Sequence, residues 1–365
     1  MKILIWQWGR RGAGPRIAAE LAAAIRALAG HDAALSLSAQ SEILAGADRP
    51  QCEIPFATYA NLGSLVLRIL RAPTLIRPLA TRIRAIRPDI AICAMPAALD
   101  LVMVAALRRA GVPYLVVVHD ADLHPGDSFP IQMALQRHLM RGAAGVIALS
   151  THVAGRLRTQ GRLDGQQLIM TSIPPLVFGP PPPPPGSRGG KLRLLSFGRL
   201  LPYKGLDLLE DALRTLGPRP DLEVRIVGSG PDSPVLDALR ALPGVSVENR
   251  WVPEAEVGPV LAWSDALVLS HREASQSGVA AAALAAGRWV VATRIGGMAE
   301  QLQDEALARL CDPTPESLAA ALRGLLESPP APSAPADPRA AWRDVAAALV
   351  RDIGALTPAA PTSSN

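Results

Sequence analysis

The chain has 365 residues, of which 49% are apolar and only 4% aromatic, and its formal net charge is +5. This length favours two domains over one, with cores built mostly of aliphatic side chains. Three widely spaced cysteines are too few for a disulfide framework or a zinc site, and no apolar run fits a secretory signal or a membrane span. We therefore expect a cytoplasmic protein.

Residues 1–178 are predicted to form an N-terminal α/β domain. Short apolar runs bounded by turn residues predict buried parallel strands, and alanine-rich stretches between them predict helices. The predicted strands are Lys2–Trp6, Asp89–Cys93, Tyr114–Val118 and Gly145–Leu149, and the predicted helices are Arg16–Leu28, 97–110 and 130–141. The turn at Gly12, Ala13 and Gly14 is a candidate phosphate or acceptor loop, although Ile17 stands where a dinucleotide fingerprint has its third glycine.

Residues 57–88 carry much of the positive charge of the first domain. They contain six arginines and no acid, and the arginines alternate with Leu, Ile and Val at near-helical spacing. Two interpretations fit this pattern. The segment is either a basic amphipathic face that rests on anionic lipid at the inner face of the cytoplasmic membrane, or a helical pair that buries its apolar stripe and leaves its arginines in water.

Six consecutive prolines, Pro180–Pro185, separate two series of alternating strands and helices. Polyproline joins neither a helix nor a sheet, so we interpret 179–191 as a semi-rigid interdomain linker. A ligand for an SH3-type domain is the alternative. Residues 192–336 are predicted to form a second α/β domain with strands at Leu192–Phe197, Glu223–Val227, Val245–Glu248, Ala266–Leu269 and Trp289–Ala292, followed by an amphipathic helix within 337–354 and a disordered tail at 355–365.

The stretch Phe197–Gly205 is a candidate phosphate-binding loop. It places Arg199 and Lys204 between a predicted strand and a predicted helix, Gly205–Leu216. Two permanent cations and the positive end of a helix suit a dianion such as a diphosphate. In a doubly wound sheet this loop would lie at the carboxyl end of its strand, where ligands bind.

A second candidate anion site follows the predicted strand Ala266–Leu269. Small residues with accessible backbone N–H groups open the next helix there: Ser275, Gln276, Ser277 and Gly278. Glu273 beside them would suit the hydroxyls of a sugar or ribose. An ordinary N-cap with a solvated glutamate is the alternative.

His119 ends a predicted strand of the first domain, where it could donate or accept a hydrogen bond near neutral pH. A histidine bonded to a neighbouring loop is the structural alternative. The adjoining residues Asp120 and Asp122 spell a D-x-D pattern, which would allow a divalent metal.

Together these motifs resemble the retaining glycosyltransferases of the GT-B fold. The resemblance covers nearly all of 1–354 and is densest between 192 and 302. Its matching segments are Phe197–Gly205, Val227–Pro231, Arg250–Glu254, Glu273–Gly278 and Val290–Gly297. It implies two Rossmann-like, doubly wound α/β domains that face each other across a cleft, and it implies that 337–354 packs back on the first domain.

The resemblance also implies an activity. A nucleotide-diphosphate sugar would donate its sugar to a glycan or lipid-linked acceptor, with retention of configuration, in exopolysaccharide, capsule or glycolipid synthesis. No metal, cofactor or nucleic acid is expected. Positions matching Arg199 and Lys204 hold the donor diphosphate, the position of Glu273 contacts the sugar or ribose, and a histidine like His119 contacts the donor sugar. The remaining donor-binding positions are Gly198, Gly228, Gly230, Trp251, Val252, Ser275, Gln276, Ser277 and Gly278.

One departure from the family pattern concerns the helix after Glu273. The family commonly has a second glutamate there that grips the ribose, whereas this chain has Ala281 and Ala282. Two alternatives therefore stay open beside a transferase. They are a nucleotide-sugar 2-epimerase of the same fold and a donor-binding partner subunit with weak catalysis.

Overall fold

The computed structural model describes residues 1–126, 130–163, 165–186, 190–331 and 337–356. Within these residues the chain forms two compact units. The first unit takes its described residues from 1–121, 130–172 and 339–356, and the second takes them from 122–126 and 173–338. Each unit is built around one parallel sheet, as the alternation of strands and helices predicts.

The first unit contains a sheet of six parallel strands: β1 (Lys2–Gln7), β2 (Asp32–Leu37), β3 (Ile90–Cys93), β4 (Tyr114–Val118), β5 (Gly145–Ala148) and β6 (Gln167–Met170). Their order across the sheet is β2-β1-β3-β4-β5-β6. The order reverses between β1 and β3, and ligands of such sheets bind at that point, outside the carboxyl ends of the strands.

Besides the C-terminal helix described below, the first unit contains seven helices of the described chain: α1 (Ala13–Arg26), α2 (Glu42–Ala45), α3 (Leu62–Leu70), α4 (Ala72–Ile86), α5 (Asp100–Ala110), α6 (Pro130–Arg141) and α7 (Thr151–Thr159). Every residue of β3 and β4 is buried. Helices on both faces of a parallel sheet explain why these strands are continuous apolar runs in the sequence.

The arginine-rich segment 57–88 forms α3 and α4, which confirms the helical prediction. The two helices differ in how they pack. Helix α4 buries Leu79, Ala80 and Ile83, as expected for a helix that covers a core. Helix α3 buries none of its residues.

The second unit contains the other sheet of six parallel strands: β7 (Leu192–Arg199), β8 (Leu222–Ser229), β9 (Val245–Asn249), β10 (Ala266–Leu269), β11 (Trp289–Thr293) and β12 (Ala308–Cys311). Their order is β12-β11-β10-β7-β8-β9, so the reversal lies between β7 and β10. The accompanying helices are α8 (Leu206–Leu216), α9 (Pro234–Arg240), α10 (Glu254–Trp263), α11 (Gly278–Ala285), α12 (Gly296–Leu302) and α13 (Pro315–Glu327).

The last helix of the described chain is α14 (Pro338–Gly354), which groups with the first unit from residue 339 onward. Residues 355 and 356 still donate backbone hydrogen bonds to the last turn of α14. The rest of the predicted tail, 357–365, lies outside the described residues.

The proline run Pro180–Pro185 belongs to the second unit, where hydrogen bonds hold it. The guanidinium of Arg288, a fully buried residue, donates to the carbonyls of Pro183 and Ser264. The backbone N–H of Gly186 donates to Asp265 Oδ1 at 3.0 Å. The linker at 179–191 stays a prediction, and residues 187–189 within it lie outside the described residues.

Candidate functional site

The carboxyl ends of four neighbouring strands carry the predicted donor-binding residues of the second unit. In the sheet β10, β7, β8 and β9 lie side by side and run parallel. Arg199 ends β7, Gly228 lies near the end of β8, Trp251 follows β9 and Glu273 follows β10. Because parallel strands present their carboxyl ends at one edge, motifs far apart in sequence meet there.

Arg199 and Lys204 lie around one buried aromatic ring. The guanidinium carbon of Arg199 is 5.3 Å and the ammonium nitrogen of Lys204 is 5.2 Å from the ring centroid of Tyr203. Both distances are within the range of a cation–π contact. On Tyr203 the ring of His124 stacks at 4.6 Å, with 16° between the two planes. The two cations that the loop motif predicts are therefore brought together.

Lys204 is held by a histidine that the sequence motifs do not include. The distance between Lys204 Nζ and His271 Nε2 is 2.7 Å, and His271 is 3% exposed. Burial, assisted by the charge of Lys204 and by His124, holds the pKa of His271 well below its usual range. A neutral imidazole accepts from the ammonium, so His271 holds Lys204 in place without competing for its positive charge.

Two hydrogen bonds to backbone carbonyls connect the loop after β7 with the loop after β10. The Ser270 hydroxyl donates to the Lys204 carbonyl at 2.9 Å, and the Arg272 N–H donates to the Tyr203 carbonyl at 2.8 Å. Gly205 has a φ of 63°, and a Cβ at this position would lie 2.1 Å from the Ser270 carbonyl oxygen. Only glycine tolerates both the left-handed conformation and this close approach.

Gly228 and Gly230 are explained by the close approach of β8 and β7. A Cβ on Gly228 would lie 1.6 Å from the Gly198 oxygen, and one on Gly230 would lie 2.2 Å from the Leu200 oxygen. The Asn249 side chain then fixes the turn, because it accepts from the Gly230 N–H and donates to the Gly230 carbonyl, both at 3.1 Å. These glycines shape a backbone wall beside Arg199.

The start of α11 differs in part from the second anion site that the sequence predicts. Ser277 is the N-cap, and its hydroxyl accepts from the Ala280 N–H at 3.1 Å. Its own backbone N–H donates to Gln301 Oε1 at 2.9 Å and is therefore taken, which corrects the expectation that it is open to an anion. The N–H groups of the first helical residues, Gly278 and Val279, have no acceptor within the helix. Val279 also lies against Gly198, so this helix start adjoins the end of β7.

The other predicted donor-site side chains have mixed exposure. The side chain of Glu273 is 53% exposed, and its Oε2 lies 3.5 Å from His124 Nδ1. Ser275 is buried and Gln276 is half-buried. Val252 packs in the hydrophobic core with 6% exposure, so a ligand would meet its backbone, whereas Trp251 is half-buried.

In the first unit the predicted residues follow β1 and β4. Gly12 has a φ of 82° and caps α1, with Ala13 and Gly14 in its first turn. The buried amide of Gln7 lies beneath Gly14. His119 is 6% exposed, its Nε2 is 2.8 Å from the Ala94 carbonyl oxygen, and burial lowers its pKa. In the described part of the chain, Asp120 and Asp122 join no cluster of three His, Cys, Asp or Glu residues that could hold a metal ion.

Comparison with known proteins identifies the family. The model described as glycosyl transferases group 1 matches residues 191–328, and the model described as glycosyl transferase 4-like domain matches residues 11–171. Together these matches cover most of both units. The chain is a glycosyltransferase of the GT-B fold.

Solved structures agree with this fold over almost the whole chain. A glycosyltransferase from Rickettsia africae superposes with a TM-score of 0.62 at 16% identity, over 98% of this chain and 94% of that one. Anabaena HepE in complex with UDP and glucose gives 0.65 at 18% identity, over 97% and 98%. A putative UDP-N-acetylglucosamine 2-epimerase from Listeria monocytogenes gives 0.62 at 13% identity, over 96% of each chain. No curated protein sequence matches this chain.

The glycosyltransferase has core alanines at the positions where the resemblance led us to expect a second glutamate. Ala281 is 1% and Ala282 is 2% exposed, and the carbonyl of Ala281 accepts from the Leu176 N–H at 3.1 Å. A carboxylate at either position would be buried, and burying an unpaired charge is costly. This helix face therefore serves packing in the present chain.

The groups that support the predicted site residues were not themselves predicted as site residues. Tyr203 and His271 organise the two cations, His124 connects Tyr203 with Glu273, and Gln301 holds the start of α11. A signal for His271 was available, because it lies two residues after the buried strand β10 and two residues before Glu273. No local sequence pattern predicts the contacts of His124 and Gln301.

Proposed function

We propose that this glycosyltransferase transfers a sugar from a nucleotide-diphosphate donor to a glycan or lipid-linked acceptor, with retention of configuration and without a metal ion. The observation that carries the proposal is the convergence of Arg199 and Lys204 around Tyr203, beside the start of α11. Two fixed cations and a helix N-terminus form a site for a diphosphate.

The charges support a mechanism of leaving-group stabilisation. As the bond between the anomeric carbon and the phosphate oxygen breaks, its electron pair stays on the β-phosphate and the sugar gains oxocarbenium character. Arg199, Lys204 and the first N–H groups of α11 would bind the new negative charge more strongly than they bind the intact donor. Such differential binding lowers the barrier.

Retention requires that the acceptor hydroxyl attack from the face that the diphosphate leaves. Its oxygen bonds to the anomeric carbon, and its proton passes to the departing phosphate oxygen. No protein base is needed for this step, which agrees with the sparse carboxylates among the predicted residues. We propose that Glu273 and His119 contact the sugar or ribose, and that Gly12, Ala13 and Gly14 help to bind the acceptor or a phosphate.

A uridine nucleotide is the first donor to test. Anabaena HepE forms complexes with UDP and with UDP-glucose, and its fold covers 96% or more of this chain. At 19% identity or less this likeness supports the choice of probe. The identity of the donor sugar is determined by the assay with UDP-, GDP- and ADP-sugars described below.

We further propose an acceptor at the inner face of the cytoplasmic membrane, in the synthesis of a polysaccharide or glycolipid. The support is the uninterrupted positive charge of residues 57–88, which suits anionic lipid. In the described part of the chain, no helix is long and apolar enough to cross a membrane.

The test is incubation of the protein with UDP-, GDP- and ADP-sugars, with and without a membrane extract as acceptor. Release of nucleoside diphosphate in the presence of EDTA is expected for one donor, and the anomeric configuration of the product reports retention. Arg199→Ala and Lys204→Ala should each lower kcat about 10²-fold or more with a smaller change in KM. Arg199→Lys should recover less than Lys204→Arg, since the guanidinium can bind phosphate through two parallel N–H groups.

The epimerase is the second candidate, because two of the similar structures are epimerases of UDP-N-acetylglucosamine or putative ones. Formation of an epimer without acceptor would establish it and overturn the transferase. Thermal stabilisation by a nucleotide sugar without turnover, even with membrane extract, would instead favour a donor-binding partner subunit.

A further inference from the structure

Helix α3 exposes an apolar face to solvent. Among the described residues nine large apolar side chains are exposed, and five of them lie on this nine-residue helix. They are Leu62 (76% exposed), Val66, Leu67, Ile69 and Leu70 (74%). The remaining four are scattered as Leu101, Leu123, Met170 and Val177. Contiguous exposed apolar side chains mark interaction sites, whereas isolated ones are normal.

The exposed residues form a stripe along one side of α3. Leu62, Val66, Ile69 and Leu70 are spaced so that they share one helical face. On another side Leu65 packs against the core of the first unit, as do Ala72 and Leu75 at the start of α4. The apolar stripe is therefore additional to the face that attaches the helix to the protein.

The helix is already formed and anchored before it meets a partner. Asn61 and Ser64 make a reciprocal capping box at its first turn. Just before it, Arg10 donates to the Ala60 carbonyl at 2.6 Å and lies over the Tyr59 ring at 4.7 Å. Docking through α3 thus requires no folding of this segment, which removes an entropic cost.

The charge of the segment that follows the stripe in sequence selects one kind of partner. Arg71, Arg77, Arg82, Arg84 and Arg87 are all exposed, and the sequence has no acid between Glu53 and Asp89. Arginine side chains beside an apolar stripe complement an anionic lipid surface, since guanidinium groups bind phosphate and aliphatic groups enter the acyl boundary. A protein partner would need its own acidic rim around an apolar groove.

We propose that α3 is a membrane-docking helix whose Leu62, Val66, Ile69 and Leu70 insert shallowly into an anionic leaflet while the arginines of 71–87 bind lipid headgroups. This inference rests on the proposed membrane-face location of the acceptor and names the element that makes the contact. It differs from a purely electrostatic face, because part of the binding depends on uncharged side chains and resists salt.

The experiment is co-sedimentation of the full chain with large vesicles of phosphatidylcholine, with and without 30 mol% phosphatidylglycerol. The wild type should bind only the anionic vesicles, and part of this binding should persist in 0.5 M NaCl. Leu62→Ser with Leu70→Ser should weaken binding about tenfold or more at unchanged net charge. A separate Leu62→Trp variant should show a blue shift of its tryptophan emission when it binds the anionic vesicles.

Two matched controls make the test specific. Leu101→Ser with Met170→Ser removes the same number of exposed apolar side chains elsewhere in the first unit and should leave binding unchanged. Arg71→Gln with Arg77→Gln should weaken binding several-fold more than Arg156→Gln with Arg158→Gln, which removes the same charge from α7. Circular dichroism of each variant checks its fold.

The proposal is overturned if the wild type does not bind anionic vesicles, or if the Leu62/Leu70 and Leu101/Met170 variants bind equally well. It is also overturned if light scattering shows a dimer that the Leu62/Leu70 variant loses, because the stripe would then serve a second copy of the chain. Thermal stabilisation by UDP is measured on the same proteins without vesicles. A failure of the donor site is therefore distinguishable from a failure of membrane docking.

Discussion

The close approach of β8 to β7 makes Gly228→Ala a direct test of the candidate donor site. The added Cβ would lie 1.6 Å from the Gly198 oxygen and 2.7 Å from its carbonyl carbon. Both are backbone atoms of a paired strand, so no side-chain rotation relieves the clash. To reach 3.0 Å, the two strands must separate by about 1.4 Å, at the point where β7 delivers Arg199.

The expected cost follows from overpacking and from lost ladder bonds. Overpacking costs about 1–3 kcal/mol. Two backbone hydrogen bonds beside the clash, Arg250 N–H to the Gly228 carbonyl at 2.6 Å and Leu200 N–H to the Ser229 carbonyl at 2.9 Å, contribute about 1 kcal/mol each. The free energy of unfolding of the second unit should fall by roughly 3–5 kcal/mol, which corresponds to a Tm lower by about 10 °C or more.

The assay is thermal unfolding by circular dichroism, with and without a saturating UDP-sugar. Gly324→Ala is the matched control, because its Cβ would meet only the flexible tip of Arg309, at 2.5 Å, within a helix that tolerates alanine well. Its free energy of unfolding should stay within about 1 kcal/mol of the wild type. If Gly228→Ala melts like Gly324→Ala and keeps the same stabilisation by the donor, the geometry of this site is wrong.

Two further predictions concern a histidine of the second unit and a carboxyl of the first. His271→Met removes the acceptor for the Lys204 ammonium and should lower kcat about 10–100-fold with little change in KM. His271→Gln, whose amide oxygen can accept the same hydrogen bond, should recover most of the rate, and equal kcat values for His271→Met and the wild type would exclude a positioning role. Burial raises the pKa of Asp100 from 3.8 to about 7, so its proton is held more tightly in the folded protein. The stability that this proton contributes is complete below about pH 4 and is lost as the pH rises through about 7, on the order of 4 kcal/mol in all. Urea unfolding at pH 4.5 and pH 8 should therefore show a fall for the wild type that Asp100→Asn lacks, and parallel curves would contradict the burial of this carboxyl.

Much of the architecture was predictable because buried parallel strands leave continuous apolar runs. All nine predicted strands are present in the described residues, and the proximity of Arg199 and Lys204 was predictable because they lie at the end of β7 and shortly after it. Three strands were not predicted, β2, β6 and β12, and each lies at an edge of its sheet. Strands β6 and β12 are short and bury only one residue each, and β2 contains two alanines and a serine, so none of the three carries a long run of large apolar side chains.

The contacts that the supporting groups make in the site could not be predicted from local pattern. His271 meets Lys204 across 67 residues because β10 is the neighbour of β7, and that adjacency depends on the reversal of strand order. Gln301 reaches the N–H of Ser277 from another helix, across 24 residues. A motif describes what a short segment offers, whereas these contacts depend on which segments the sheet places side by side.

The sequence by itself determined the two α/β repeats, the cationic loop Arg199–Lys204 and the basic helical character of 57–88, since each follows from local spacing and charge. Only the tertiary structure decided which of these groups are available. Packing buries one face of α4 but leaves the apolar stripe of α3 in solvent. It also occupies the N–H of Ser277, and it places a neutral histidine against Lys204. Burial and strand order are properties of the whole chain, so no segment encodes them alone.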